Sequence, residues 1–227
     1  ETLLTETSNL LTQFPHSTFL LNLNGIANAK LKKYKKSLLS FEKILSLDKN
    51  SVDTMYNIGN LKKEMGDIES AKIFFKRTIE FNKNYYQAYN SLGIIFKQEK
   101  NLQEAENFFK CAFNINNKHY QSLTNLGLLA QLKNNHSEAI NYFVNSYKLH
   151  PNEESLINFG NSLINYRFVE PRTDLYKIIN DLIAKKNLVS PTSIIKSIIS
   201  LIRQEDDINK VLNSENHFNS IDEFNNT

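Results

Sequence analysis

Residues 52–85 read VDTMYNIGNLKKEMGDIESAKIFFKRTIEFNKNY, and this stretch decides the fold. Gly59 stands inside an apolar helical pattern. Twelve residues later comes a small residue, Ala71, then an aromatic, Phe75, and then Thr78. The pair Gly66-Asp67 between the two halves reads as a turn. Shifted by 34 residues in either direction, the same columns reappear. Gly25, Gly59, Gly93 and Gly127 hold one column, and Gly160 follows after 33. Ser37, Ala71, Ala105 and Ala139 hold the second, and Phe41, Phe75, Phe109 and Phe143 the third. Ile44, Thr78, Ala112 and Ser146 follow each aromatic, and Lys100-Asn101 and Asn134-Asn135 stand at the turn. A fixed period of this length is the signature of stacked helix–turn–helix units.

Glycine within a helix costs roughly 1 kcal/mol against alanine. A chain that repeats this cost five times must gain close approach of two helices in return. The small residue supplies the opposing flat spot, and the Phe column is expected to fill the wedge between neighbouring units. The pattern resembles the tetratricopeptide repeat family over roughly residues 1–166. Four full units carry the likeness, 18–51, 52–85, 86–119 and 120–152. Leu21, Met55, Tyr89, Leu123 and Leu156 stand where that family often has a large aromatic, which keeps the packing role. The resemblance implies an all-α fold, an α-solenoid wound as a right-handed superhelix.

The four units span 18–152, with further segments on either side. Residues 1–17 form the second helix of a truncated repeat, since Leu3, Leu10 and Pro15 fall in the columns of Ser37, Ile44 and Lys49. Alone it would expose Leu3, Leu10 and Leu11, each worth ~1.5–3 kcal/mol when buried. Solenoids normally end in polar caps, so this start, on Glu1 rather than Met, reads as a fragment or as the sequel to further repeats. Residues 153–166 open a fifth, divergent unit with Gly160, but Arg172 and Tyr176 replace its small and aromatic columns. Residues 167–212 read as capping or connector helices. One starts at Pro171 with Leu175, Ile178, Ile179, Leu182 and Ile183 in a stripe; another starts at Pro191, capped by Ser190, with Ile194, Ile195, Ile198, Ile199 and Ile202 on one face. A short helix is expected around Asp206–Leu212, and 213–227 reads as a polar, acidic, disordered tail. The segment from Leu188 to Ile202 resembles connectors that follow the repeats in bacterial tetratricopeptide proteins carrying a transferase. That likeness implies the alternative role of a substrate-targeting arm for a methyltransferase, sulfotransferase or glycosyltransferase domain beyond Thr227.

Composition narrows the function classes. The net charge of +3 gives no strong pull toward nucleic acid. Lys30, Lys32, Lys33, Lys35 and Lys36 cluster at the first turn and read as a solvated turn in preference to an anion patch. No apolar run approaches the ~20 residues that span a bilayer. Cys111 is the one cysteine, so an intrachain disulfide is excluded, and beside Ala112 it reads as a packing residue. The histidines form no ligand pair at helical spacing, and all glycines but Gly66 belong to the repeat column, so neither a metal site nor a phosphate loop is expected. The chain is therefore read as non-catalytic, without cofactor, binding neither nucleic acid nor membrane, and cytoplasmic.

In a superhelix of this type the first helix of each pair lines the concave face. The resemblance thus assigns inward columns. Leu23, Asn57, Ser91, Asn125 and Asn158 stand two residues before each glycine; Ile26, Asn60, Ile94, Leu128 and Asn161 stand one after. Asn22, Tyr56, Asn90, Thr124 and Ile157 stand three before, and Ala29, Lys63, Lys97, Gln131 and Ile164 four after. A side-chain amide offers two donors and an acceptor, the complement of a peptide bond. Asn57, Asn125 and Asn158 resemble the asparagine ladder in the repeats of protein O-linked N-acetylglucosaminyltransferases. The candidate groove is therefore Asn57, Asn60, Asn90, Asn125, Asn158 and Asn161, with Tyr56, and with Lys63 and Lys97 favouring acidic residues in a protein or extended peptide partner. The family's two-carboxylate clamp fits poorly, because Asn22, Tyr56, Asn90 and Asn125 stand where it needs cations.

Overall fold

The computed structural model describes residues 2–164, 166–185 and 188–204. Among them there are only helices and no strand. The helices are α1 (Thr2–Gln13), α2 (Thr18–Lys30), α3 (Tyr34–Leu47), α4 (Val52–Glu64), α5 (Ile68–Phe81), α6 (Tyr86–Gln98), α7 (Leu102–Ile115), α8 (Tyr120–Leu132), α9 (His136–Leu149), α10 (Glu153–Leu163), α11 (Tyr176–Ala184) and α12 (Pro191–Ile202). A 3-10 turn, Thr173–Leu175, leads into α11. The fold is an all-α solenoid of helical hairpins, and it divides into two compact units, Glu1–Asn117 and Lys118–Thr227.

In the first unit, α2 packs on α3, α4 on α5 and α6 on α7, and each hairpin packs on the next through α3–α4 and α5–α6. The glycine column explains the pairing, by the close approach that the sequence suggested. A Cβ at Gly25, Gly59 or Gly93 would lie 2.5, 2.7 or 2.6 Å from the ring of Phe41, Phe75 or Phe109 respectively. The aromatic thus lands on the bare Cα of its own hairpin, and it also joins the next one: Phe41 shares a buried cluster with Ile58 and Leu61, and Phe75 with Ala88, Leu92 and Ile95. All three rings are almost wholly buried. The small residue has its own task in the first hairpin, where the Ser37 hydroxyl donates to the Gly25 carbonyl at 2.8 Å.

The turns repeat as closely as the glycines do. Lys32, Gly66 and Lys100 all take positive φ, at 56°, 82° and 62°. Each ends its helix with the same pair of hydrogen bonds, for example Gly66 N–H to Lys63 O and Asp67 N–H to Lys62 O. This is the left-handed helix stop that glycine favours, here made by lysine at two of three places. The next residue then caps the following helix: Asp67 accepts from Ser70 N–H at 3.2 Å and Asn101 from Glu104 N–H at 3.3 Å.

Helix α1 packs on α2 through polar groups. Asn24 Nδ2 donates to Thr7 Oγ1 and Ser8 Oγ, both at 3.2 Å, and Asn24 Oδ1 accepts from Asn28 and Ser40. Thr7 occupies the column of the Phe rings, so this first contact trades ring packing for hydrogen bonds. Leu3, Leu10 and Phe14 remain exposed.

In the second unit, α8 and α9 repeat the hairpin, with Gly127 under Phe143 and a positive φ at Asn134. Helix α10 packs on α9, α8, α11 and α12. It stops at Leu163, three residues short of the expected end, and the chain leaves Ile164 in an extended conformation. Ser197 of α12 explains the stop: its hydroxyl donates to Leu163 O and to Tyr166 O. Pro171 does not start α11; the helix begins only at Tyr176. Ser190 sits at the N-cap of α12, but its side chain does not cap the helix backbone. The expected single stripe on α12 is split. Ile194 and Leu201 are buried, whereas Ile195, Ile199 and Ile202 are exposed. The readings for Asp206–Leu212 and 213–227 lie outside the described residues. Cys111 is exposed, correcting its reading as a packing residue, because its place on α7 points away from the ring that covers Gly93.

Candidate functional site

Six of the predicted groove residues fall in the first unit, on α4 and α6. Asn57, Asn60, Asn90, Tyr56, Lys63 and Lys97 are all half-buried. Helix α4 also touches α2, the first helix of the preceding hairpin. The contact carries a hydrogen bond from Asn57 Nδ2 to Asn22 Oδ1 at 3.1 Å. One asparagine thereby orients the next, leaving the Asn57 carbonyl oxygen and the second amide proton to be used elsewhere. Sequence reasoning missed this bond. A separation of one period plus one residue between two asparagines was the signal that could have found it.

Tyr56 packs sideways as well. Its ring packs against Phe75 at 5.7 Å and Tyr85 at 5.0 Å between centroids. Tyr85 in turn donates its hydroxyl to Asp53 Oδ1 at 2.8 Å. Burial, reinforced by that carboxylate, holds the Tyr85 phenol well above its ordinary range. Tyr56 is thus part of the packing between α4 and the start of α6.

Lys63 and Lys97 share a column one repeat apart. Burial lowers the pKa of both; beside Lys63 the Glu64 carboxylate opposes the shift. The two ammonium groups are therefore partly stripped of water, the state in which a carboxylate is most welcome. Both carbonyls are engaged as well, since each accepts the backbone bond that ends its helix.

The other three predicted residues fall in the second unit. Asn125 and Asn158 are half-buried, and Asn161 is exposed. The backbone carbonyl of Asn158 accepts from Gln131 Nε2 at 3.3 Å and from Ser162 Oγ at 3.0 Å. Gln131 Nε2 also donates to Ser162 Oγ at 2.7 Å, so this column position ties α8 to α10. Among the described residues no cluster of three or more His, Cys, Asp or Glu could hold a metal ion. No helix among them is long and apolar enough to cross a membrane.

The period, the glycine under its ring and the repeated turn meet in a comparison with known families. Residues 52–85, 86–119 and 120–153 each match the tetratricopeptide repeat. These hairpins are tetratricopeptide repeats. Among solved structures, the chain is similar to MamA at 20% identity, covering 64% of this chain and 85% of that one with a TM-score of 0.56. It is similar to PilF of Pseudomonas aeruginosa at 13% identity, covering 87% and 93% with a TM-score of 0.62. YrrB, described as a tetratricopeptide protein with an unusual peptide-binding site, matches at 14% identity over 78% and 91% with a TM-score of 0.55. At these identities the likeness is one of fold. No curated protein sequence matches the chain.

Proposed function

We propose that the tetratricopeptide repeats of this chain form a non-catalytic interaction module that holds an extended segment of a partner protein. The observation that carries this reading is the Asn57–Asn22 bond between the first helices α4 and α2, with Asn60 and Lys63 on α4 and Asn90 and Lys97 on α6. Side-chain amides grip a peptide backbone whatever its sequence, and the partly desolvated ammonium groups favour Asp or Glu along it. The Asn22–Asn57 bond pre-orients one amide, which reduces the ordering cost of binding. Asn125, Asn158 and Asn161 offer the same chemistry in the second unit. The peptide-binding site named for YrrB belongs to a protein of the same fold and makes this use a reasonable one.

The test is a titration of the protein with an unstructured, Glu-rich peptide, read by amide chemical shifts. Replacing Asn57, Asn125 and Asn158 together by alanine is expected to weaken binding about tenfold, as loss of one or two hydrogen bonds worth ~0.5–1.5 kcal/mol each would do. The helical circular dichroism spectrum should be unchanged. Equal affinity of the triple variant would overturn the reading.

A further inference from the structure

One position in the repeat breaks its own column. Leu21 and Met55 are buried at 4% and 0% exposure, but Tyr89 in the next hairpin is only half-buried. A cleft of about 320 Å3 opens beside it, wholly within the first unit. Its floor is Ile79 of α5, Tyr89 and Leu92 of α6, and Phe108 of α7. Tyr89 and Phe108 lie 6.3 Å apart, and Phe108 is held from behind by a parallel stack on Phe96 at 5.3 Å. The floor is thus aromatic and braced.

The rim is charged. Lys76, Glu80 and Lys83 line it, and all three are exposed. None of the three makes an ion pair among the described residues, so the rim presents two cations against one carboxylate. Lysine recurs singly in the columns of Lys83 and Lys76, as Lys49 and Lys110, but the two lysines and the half-buried Tyr89, where the preceding repeat has Glu42 and the fully buried Met55, occur together only here. The cleft is also distinct from the groove. At 100° per residue, Tyr89 and Leu92 project roughly 100–160° away from Asn90 on the α6 wheel, whereas Ile94 and Lys97 stay within about 40° of it.

We propose that this cleft is a second docking site, for a partner segment that places one aromatic or large aliphatic side chain on the Tyr89–Phe108 floor and carboxylates on Lys76 and Lys83. The volume argues for one side chain rather than a whole cofactor, since it lies at the lower end of the ~300–1,000 Å3 of small-ligand pockets. The occupant is an acidic peptide with an apolar centre. Charge complementarity selects it: a basic segment would meet two unpaired ammonium groups, and an acidic one only Glu80.

The experiment is an amide chemical-shift titration of the full chain with blocked pentapeptides, Glu-Glu-Phe-Glu-Glu and Lys-Lys-Phe-Lys-Lys. The acidic peptide is expected to shift Ile79, Tyr89, Leu92 and Phe108, and to bind at least about tenfold more tightly than the basic one. The charge reversal K76E/K83E, at two exposed positions, should remove that preference, and Ile79→Trp should abolish binding by filling the floor. Equal binding of the two peptides overturns the proposal, as does an acidic-peptide response that K76E/K83E leaves intact. Shifts confined to Asn57, Asn60 and Asn90 overturn this site while leaving the groove standing; shifts confined to the cleft do the reverse.

Discussion

Gly93 and Gly160 occupy the same column of the repeat, and the protein covers them in different ways. Over Gly93 lies Phe109, a ring supplied by the second helix of the same hairpin. Over Gly160 lie Val189 and Leu182, where a Cβ would meet them at 2.7 and 3.1 Å, and both come from the segments beyond α10. The helix ends differ too. After α6 the chain turns at Lys100 in the left-handed region and enters α7 directly. After α10 it leaves in an extended conformation, Tyr166 N–H folds back on Leu163 O at 3.0 Å, and a distant hydroxyl, Ser197, donates to Leu163 O and Tyr166 O as well. The lesson is that the glycine marks a place where something bulky lands. It does not specify what lands there.

This contrast can be broken or sharpened by substitution. The largest effect is expected for Phe109→Ala, which empties a fully buried ring site and should destabilise by about 3–5 kcal/mol in chemical denaturation. A much smaller loss would mean that the ring does not organise the hairpin. Next comes Gly93→Ala. The added methyl would clash with the Phe109 ring, and overpacking of that kind costs about 1–3 kcal/mol. Combining it with Phe109→Leu should recover part of the loss, and strict additivity would sever the proposed link between the two columns. Ser197→Ala is expected to cost about 1–3 kcal/mol, because it takes the hydroxyl from Tyr166 O and leaves Leu163 O with only the Tyr166 N–H; a neutral result would show that α10 ends there for another reason. Gly160→Ala should cost less than Gly93→Ala. At Gly160 one atom, Val189 Cγ2 at 2.7 Å, lies under 3.0 Å, against two Phe109 ring atoms at 2.6 Å over Gly93, while the gain of ~1 kcal/mol in helix propensity is common to both. Smallest, and of opposite sign, is Lys100→Gly. It relieves a positive φ that glycine already occupies at Gly66 and should raise stability by up to about 1 kcal/mol, measurable as a higher Tm.

The groove was legible only in part. Asn57 and Asn90 could be placed on first helices from the period alone, because a column repeats its orientation when each repeat repeats its geometry. For Tyr56 the period gave the column but not the ring contacts. Its column holds Asn22 and Asn90 on either side, yet its ring is drawn into contact with Phe75 and Tyr85 because an aromatic of that size finds more to bury sideways than outward. The cleft at Tyr89 had a visible cue, a hydroxyl-bearing ring in a column of aliphatics, but no cue for the two unpaired lysines that border it. Cys111 next to Ala112 was misjudged for a related reason: adjacent residues on a helix lie 100° apart, so one faces the hairpin and the other faces water.

What the order of residues determined by itself is the local and periodic part: helices of nearly equal length, their pairing into hairpins, and the small, aromatic and turn positions that recur every 34 residues. Those follow from contacts between residues close in the chain, which the same short pattern dictates each time. Only the tertiary structure decided that Phe rings cap the glycines of their own hairpins, that Asn22 holds Asn57, that α10 is stopped by a serine 34 residues past its end, and that Tyr89 opens a cleft in place of filling it. Each of these depends on which side chains meet across helices, and packing settles that by volume and by unpaired hydrogen-bonding groups, neither of which a single column records.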